Sequence, residues 1–334
     1  MPEPVLELRD VHVEYNTDDG IVHAVRGASY EVFADETLAL VGESGCGKSQ
    51  SAYAAMGLIQ PPGRVTRGRI LFHPNGGGPV DLAGLHRNSR EMRRIRGGQV
   101  SMIFQEPMTA LSPVHRIGTQ LDEVLRLHTD LDRRKRFDRA CDLLTKVGIP
   151  DAEKRWEQYS FEFSGGMRQR IMIAIALACH PRVLFADEPT TGVDVTIQAQ
   201  ILELIRSLQA QTRMAVVLIT HDLAVVAETA DRVAVMYLGR IVELSDVKTI
   251  FASPRHPYTV ALMKSVIGSP LASDGRLQTI RGTVPGPLER VAGCPFHPRC
   301  DRMIPDVCDC VLPEFEPVDD KTMAACHLYG KGDA

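Results

Sequence analysis

Thr37 to Gln50 reads TLALVGESGCGKSQ, and this stretch decides the fold. Leu38 to Val41 is an apolar, strand-like run that delivers the backbone into Gly42-Glu43-Ser44-Gly45-Cys46-Gly47-Lys48-Ser49, the G-x-x-x-x-G-K-S pattern of a phosphate-binding loop. Gly42, Gly45 and Gly47 permit tight, partly left-handed backbone, so that consecutive N–H groups, those at Ser44 and Cys46 included, turn inward around phosphate oxygens. The loop then opens a helix at Gln50, whose N-terminus carries unsatisfied donors and partial positive charge. Lys48 is expected to reach the β- and γ-phosphates and the Ser49 hydroxyl to ligate magnesium. A glycine-rich turn that binds nothing has no need of strand, lysine and serine in register.

Around this loop the pattern alternates strand and helix. Val5 to Tyr15 and Val25 to Phe33 alternate as hairpin partners, and Tyr15 is placed either to lay its ring over a bound adenine or to pack on the sheet. Helix is expected from Gln50 to Leu58, a second hairpin across HPNGGG between Arg69–Phe72 and Val80–Leu82, and a short buried strand from Val100 to Phe104. Ile117 to about Gln158 is helical and charged, with Leu121, Val124, Leu125 and Leu127 on its apolar face and the basic run Arg133 to Arg136 in solvent. Buried strands follow at Val183–Ala186 and Ala215–Thr220, and Val233–Tyr237 with Arg240–Leu244 close the sheet. The expectation is an α/β domain with a largely parallel sheet. Val247 to Val266 reads as two short helices and Gly268 to Gly293 as a linker.

Composition sets limits. The 334 residues, 44% hydrophobic and 24% charged, suit one large domain with an appendage, or two domains. The longest apolar run, Ile171 to Cys179, falls far short of the ~20 residues that span a bilayer. No secretory signal is visible at the start, which predicts a cytosolic location. A net charge of −4 offers no basic footprint for nucleic acid.

Asp187-Glu188 ends a buried strand, where a parallel sheet places its ligands, so Asp187 can face the magnesium on Ser49 and Glu188 can polarise the attacking water. Gln105 and His221 also lie just past strand ends, within reach of γ-phosphate, magnesium or water. Ser164-Gly165-Gly166 opens another helix and makes a second anion-binding device. One chain thus has one nucleotide loop and two such devices.

In this order, these residues resemble the ATP-binding subunit of an ATP-binding cassette (ABC) transporter: Walker A at Gly42–Ser49, Q-loop at Gln105, signature at Ser164–Met167, Walker B at Val183–Asp187, D-loop at Asp194 and switch histidine at His221. GESGCGKSQSAYAAMGL, QEPMTALSPVHRIGTQL, EFSGGMRQRIMIAIALACHP, DEPTTGVDVTIQAQI, SPRHPYTVALMKS and GCPFHPRC are each similar to the oligopeptide/dipeptide permease group, and Gln50 suits the first of its two ATPase subunits. Phe163 and Met167 depart from the general cassette's leucine and glutamine, as that group does. Gly192-Val193 replaces the usual alanine-leucine before Asp194.

The resemblance implies a P-loop NTPase nucleotide-binding domain at 1–250, with a RecA-like core, an antiparallel β subdomain and a helical subdomain at about 108–163. A helical extension and linker at 251–293 and a cysteine-rich lobe at 294–334 follow. It further implies ATP and Mg2+, the latter on Ser49, Gln105 and Asp187, and catalytic roles for Glu188, His221, Lys48 and Gln105. The signature Ser164, Gly165 and Gly166 of one subunit would close on the nucleotide of the other in a head-to-tail dimer, with Asp194 at the contact. The expected partners are two integral membrane permease subunits, touched through Met108–Arg116 and the helical insertion, a second related ATPase subunit and an extracytoplasmic binding protein, with no nucleic acid. The expected location is peripheral, on the cytoplasmic side of the cell membrane. The cargo would be peptides; nickel, glutathione and haem importers use the same ATPase type. A soluble cassette acting on ribosomes or DNA usually carries two cassettes or a long coiled coil, and neither is present here.

Cys294-x5-Cys300-x7-Cys308-x-Cys310-x15-Cys326 lacks the paired C-x2-C spacing of a zinc ribbon. Four thiolates suit an iron–sulfur cluster or zinc, and reduced thiols in a small hydrophobic lobe are the third reading. The resemblance implies a [4Fe–4S] cluster on Cys294, Cys300, Cys308 and Cys326, with Cys310 spare or in place of Cys308.

Overall fold

The computed structural model describes residues 3–105, 110–265 and 280–329. Leu6–Thr17 (β1) turns back into Gly20–Val32 (β2), pairing antiparallel from Leu6 opposite Val32 to Thr17 opposite Gly20. Thr37–Val41 (β3) leads through the glycine loop into the helix Lys48–Ala55 (α1). Gly63–Phe72 (β4) then returns along the other edge of β1, and Val80–Asp81 (β5) completes a four-stranded sheet in the order β2-β1-β4-β5. Leu6, Leu8, Val11 and Val13 are buried in its core with Ala52 and Ala55 of α1. α1 ends short of the Leu58 expected from sequence. Gly57 takes a left-handed backbone there and Leu58 N–H reaches back to Tyr53 C=O at 2.8 Å, which terminates the helix.

Arg90–Ile95 (α2) precedes Val100–Ile103 (β6), after which the chain makes Ile117–His128 (α3), Arg133–Lys146 (α4), Ala152–Arg155 (α5) and Gly165–Leu177 (α6). Leu121, Leu125, Leu143 and Leu144 are buried against Ile171 and Met172 of α6, each contributing about 1.5–3 kcal/mol of hydrophobic transfer. Two expectations fail here. Leu127 is 65% exposed, because it lies off the stripe that Leu121 and Leu125 define. Arg136 is not a free solvent-facing cation, since its Nε donates to Asp122 Oδ1 at 2.6 Å and ties α4 to α3. Of the expected permease-facing segment Met108–Arg116, Met108 and Thr109 lie outside the described residues.

Val183–Asp187 (β7), Val195–Thr212 (α7), Ala215–Ile219 (β8), Leu223–Thr229 (α8), Arg232–Tyr237 (β9) and Arg240–Asp246 (β10) complete the α/β core. β6, β7, β8, β3 and β9 run parallel, and every residue of β3, β7 and β8 is buried, as a sheet covered on both faces requires. Thr37–Val41 therefore sits centrally, and the loop that follows it opens at the carboxyl ends of the strands.

β10 does not close this sheet, contrary to the sequence reading. Beyond Val247–Ala252 (α9) and Pro257–Lys264 (α10), the C-terminal residues add Glu316–Pro317 (β11) and Met323–Ala324 (β12). β12 pairs with β10, Glu243 opposite Ala324, so the eight-stranded order is β11-β12-β10-β9-β3-β8-β7-β6. An edge that would otherwise present unpaired backbone groups is thereby covered. Two residues per strand lie below what alternation can reveal. Residues 268–279 of the expected linker lie outside the described ones.

Candidate active site

Two glycines of the loop are dictated by close backbone approach. A Cβ on Gly42 would stand 2.2 Å from Met236 C=O and one on Gly47 2.3 Å from Ala24 C=O, and both residues have positive φ. Ser44 and Gly45 are exposed at the rim, whereas Cys46 and Lys48 are buried. Lys48 Nζ donates to the carbonyls of Gly42 at 2.8 Å and Glu43 at 3.1 Å, holding its ammonium within the loop. Its Nζ is also 3.7 Å from Cys46 Sγ, whose thiol burial pushes up despite that neighbouring charge. Glu43 faces away from this cradle, its carboxylate paired with Arg299.

β7 ends in the second half of the site. Ser49 Oγ donates to Asp187 Oδ1 at 3.0 Å, joining α1 to β7. Asp187 Oδ2 is buried with no hydrogen-bond partner among the described residues, and burial raises the carboxyl, with Ser49 and Lys48 opposing. An orphaned carboxylate oxygen beside a hydroxyl is a set of hard oxygen donors that suits a divalent cation such as Mg2+.

Glu188 adopts left-handed backbone, φ 45, at a cost of about 1–2 kcal/mol for a residue with a Cβ. Its N–H bonds to Ile219 C=O of β8 at 2.8 Å, which fixes the turn. Three side chains meet its carboxylate: Gln105 Nε2 at 3.0 Å, Thr191 Oγ1 at 2.9 Å and His221 Nδ1 at 3.1 Å. Burial pushes Glu188 upward, but the hydrogen bonds from Thr191 and His221 and the charges of His221 and Lys48 prevail, leaving it below its ordinary value and ionised at neutral pH. The sequence placed Gln105, Glu188 and His221 at strand ends, and the structure brings them together. It did not single out Thr191; a hydroxyl three residues after a strand-end acid is the signal that was available.

The remaining candidates are spread more widely. Tyr15 Oη donates to Gln50 Oε1 at 2.5 Å, and its ring lies over Gly63, where a Cβ would come within 2.3 Å. It is therefore fixed beside α1. Ser164 caps α6, accepting from Met167 N–H at 3.4 Å, and Asp194 caps α7, accepting from Ile197 N–H at 3.0 Å. No hydrogen bond or ion pair among the described residues joins Ser164, Gly165 or Gly166 to the phosphate loop. A Cβ on Gly165 would meet nothing within 4 Å, and Val195, next to Asp194, is 83% exposed.

In the C-terminal lobe, Cys294, Cys300, Cys308 and Cys326 all lie close enough to influence one another electrostatically in every pairing, while Cys310 is exposed and outside that set. Burial pushes the thiols of Cys294 and Cys326 up to about 11. Four neighbouring thiols fit a thiolate-ligated group in chemistry, yet among the described residues no three His, Cys, Asp or Glu side chains form a group that could hold a metal ion. Among the same residues no helix is long and apolar enough to cross a membrane.

Comparison with known proteins agrees with this arrangement. The ABC transporter family matches residues 25–191, and the oligopeptide/dipeptide transporter C-terminal region matches residues 242–308. The dipeptide transport ATP-binding protein DppD of Bacillus subtilis is 50% identical over 328 residues, 98% of this chain and 95% of that protein. The oligopeptide transport ATP-binding protein OppD of Escherichia coli is 44% identical over 318 residues, covering 94% and 91% respectively. A dimeric ATP-binding cassette, MJ0796, in a post-hydrolysis state bound to ADP and Pi, shares the fold with a TM-score of 0.63 at 23% identity, over 72% of this chain and 98% of that one. With relatives matched at this level over nearly its whole length, the chain belongs to the ATP-binding subunits of ABC transporters of the oligopeptide/dipeptide type.

Proposed function

We propose that this chain hydrolyses ATP to drive import of dipeptides or oligopeptides, working at the cytoplasmic face of the cell membrane. The observation that carries the catalytic reading is the ionised Glu188 carboxylate, gathered by Gln105, Thr191 and His221 one residue after Asp187. The names of the relatives support the cargo class.

The Walker A N–H groups of Gly42 and of Ser44 to Ser49 cradle the phosphates of ATP, Lys48 neutralises β- and γ-oxygens, and Tyr15, anchored by Gln50, lies against adenine. Ser49, Asp187 and Gln105 would hold Mg2+, which supplies Lewis-acid charge at the transferring phosphoryl group. Glu188 accepts a proton from water as the water oxygen bonds to the γ-phosphorus and the bond to the β–γ bridging oxygen breaks. Gln105 and Thr191 fix the orientation of Glu188, and His221 senses the γ-phosphate from beside it.

Ser164, Gly165 and Gly166 act on a nucleotide held by another subunit, with Asp194 at that contact. The open space around Gly165 and the exposed Val195 support this reading. We favour a related sister ATPase as that subunit, two membrane permeases touched by residues 108–116 and the helical subdomain 108–163, and an extracytoplasmic binding protein. The divisions 1–250, 251–293 and 294–334 serve as catalytic domain, extension and lobe. The gathered thiols of Cys294, Cys300, Cys308 and Cys326, with Cys310 outside them, support a [4Fe–4S] cluster on those four. Iron and sulfide assays on anaerobically purified protein check the cluster, and absence of both removes it.

The decisive experiment is peptide uptake and ATP turnover by the reconstituted complex. Uptake that requires ATP and stops with Glu188→Gln upholds the proposal. ATP turnover indifferent to Glu188 or to peptide defeats it.

A further inference from the structure

Glu43 has no role in the chemistry above, yet it is the most heavily tethered residue of the loop. Its N–H donates to Tyr258 Oη at 2.9 Å, away from the cradle. Its carboxylate is held at both oxygens by Arg299, Nη1 to Oε2 at 2.7 Å and Nη2 to Oε1 at 3.0 Å. The Arg299 side chain is only 4% exposed. Its Nε donates to Arg281 C=O at 2.9 Å and its Nη1 also to Tyr237 Oη at 3.4 Å, so the planar fork is fixed from several sides. A lysine has one donating centre and cannot make this set.

A second path reaches the same residue. Tyr258 N–H donates to Nδ1 of the buried His256 at 3.0 Å, and His256 lines one cavity with Ala325. Phe296 packs on Tyr237, Tyr258 and His256 with ring centroids 5.3, 5.4 and 5.9 Å apart. Arg299 immediately precedes Cys300 and Ala325 immediately precedes Cys326, so two of the gathered thiols sit one residue from a path that ends on Glu43.

We propose that Arg299 is a positioning residue for the phosphate loop, and that the C-terminal cysteine lobe, acting through Arg299 and Tyr258 on Glu43, sets how tightly the loop holds nucleotide. This rests on the reading of Gly42–Ser49 as the ATP site. The pull on Glu43 comes from behind the loop, so it alters the orientation of the cradle without touching substrate. Coupling of this kind is reciprocal: a lobe that tightens the loop's hold on nucleotide is itself held more tightly when nucleotide is bound.

The test uses the full chain, fluorescent ATP-analogue titration for Kd, and amide hydrogen exchange of the lobe read by peptide mass spectrometry. Arg299→Lys keeps the charge and loses the fork. Glu43→Gln and Tyr258→Phe break the two paths from the loop side without removing lobe packing, and serve where an arginine variant does not fold. Arg299→Lys and Glu43→Gln are expected to weaken nucleotide binding about tenfold, a usual size for coupled sites. Nucleotide is expected to slow amide exchange in the peptides that hold Arg299 and Ala325 in the unaltered protein, and to lose this protection in Glu43→Gln. A Kd within twofold of the unaltered protein in every variant, with only thermal stability reduced, would mean a purely structural tether and overturn the proposal. Amide exchange at the lobe indifferent to nucleotide overturns it equally. An unaltered protein that binds no nucleotide defeats the underlying site assignment instead, so the two failures are distinct.

Discussion

The chain has two glycine-containing anion devices at helix N-termini, and they are finished to different degrees. Around Gly42–Ser49 all but the rim residues Ser44 and Gly45 are engaged: Lys48 bonds to loop carbonyls, Ser49 to Asp187, and Glu43 to Arg299. Around Ser164–Gly166 the serine caps its own helix and Gly165 faces empty space. A glycine forced by its own chain explains itself through neighbours, as Gly42 does through Met236. Gly165 has no such neighbour among the described residues, which is what supports the proposal that its partner is another subunit. The first device is built within the chain, and the second, on the reading proposed above, completes another subunit's site.

The largest effect that sharpens this contrast is Glu188→Gln, expected to cut ATP turnover at least ~100-fold while nucleotide binding persists, the usual size of a general-base contribution. Turnover within a few-fold would show that the engaged half lacks its base. Next is Lys48→Ala, which removes charge-assisted contacts worth about 1.5–3 kcal/mol and so weakens nucleotide binding about tenfold to a hundredfold. Equilibrium titration reads this directly.

Gly165→Leu addresses the other device. Thermal stability is expected to change by no more than about 0.5 kcal/mol, because nothing lies within 4 Å of the new Cβ. Nucleotide affinity of the isolated chain is expected to stay put, while turnover of the assembled transporter falls about tenfold or more through lost transition-state contacts. A loss of affinity in the isolated chain would place the device inside its own site and dissolve the comparison.

The smallest effect concerns the support behind the loop. Burial lowers His256 from 6.5 to about 3, so below pH 6.5 the unfolded state binds the extra proton and stability falls as pH drops toward 3. Glu243, whose carboxylate accepts the N–H groups of Arg255 and His256, is raised by burial and acts oppositely, favouring the fold below its unfolded pKa and losing that advantage as pH rises. Chemical denaturation of the unaltered protein against His256→Gln isolates the histidine. The stability difference between them should shift by up to about 1.4 kcal/mol per pH unit below 6.5. A pH-independent difference would show that His256 is not neutral in the fold.

The loop, the strand-end acids and the helical insertion were legible because each rests on local chemistry. A buried run must end where carboxylates begin, and Gly-Lys-Ser has few other uses. The gathering of Gln105, His221 and Glu188 was inferable because parallel strands bring their ends together. Thr191 was missed since its role depends on the left-handed turn at Glu188. The end of α1 was misplaced because the apolar run carries on to Leu58, whereas Gly57 already turns left-handed and Leu58 N–H caps back on Tyr53. The pairing of β12 with β10, and of Arg299 with Glu43, left no trace in sequence: both join residues far apart, and neither carries a periodic pattern.

The Glu43–Arg299 pair spans 256 positions along the chain, and this gives the molecule an order of birth. On the ribosome the phosphate loop emerges first, with its carboxylate uncompensated and the outer edge of β10 still to come. Residues 299 to 326 arrive much later, at a synthesis rate of about 5–20 residues per second, and supply both the cation and the covering strand. A polypeptide released early would therefore display a bare strand edge, a ready signal for chaperones and proteases, before it had a fully braced nucleotide pocket.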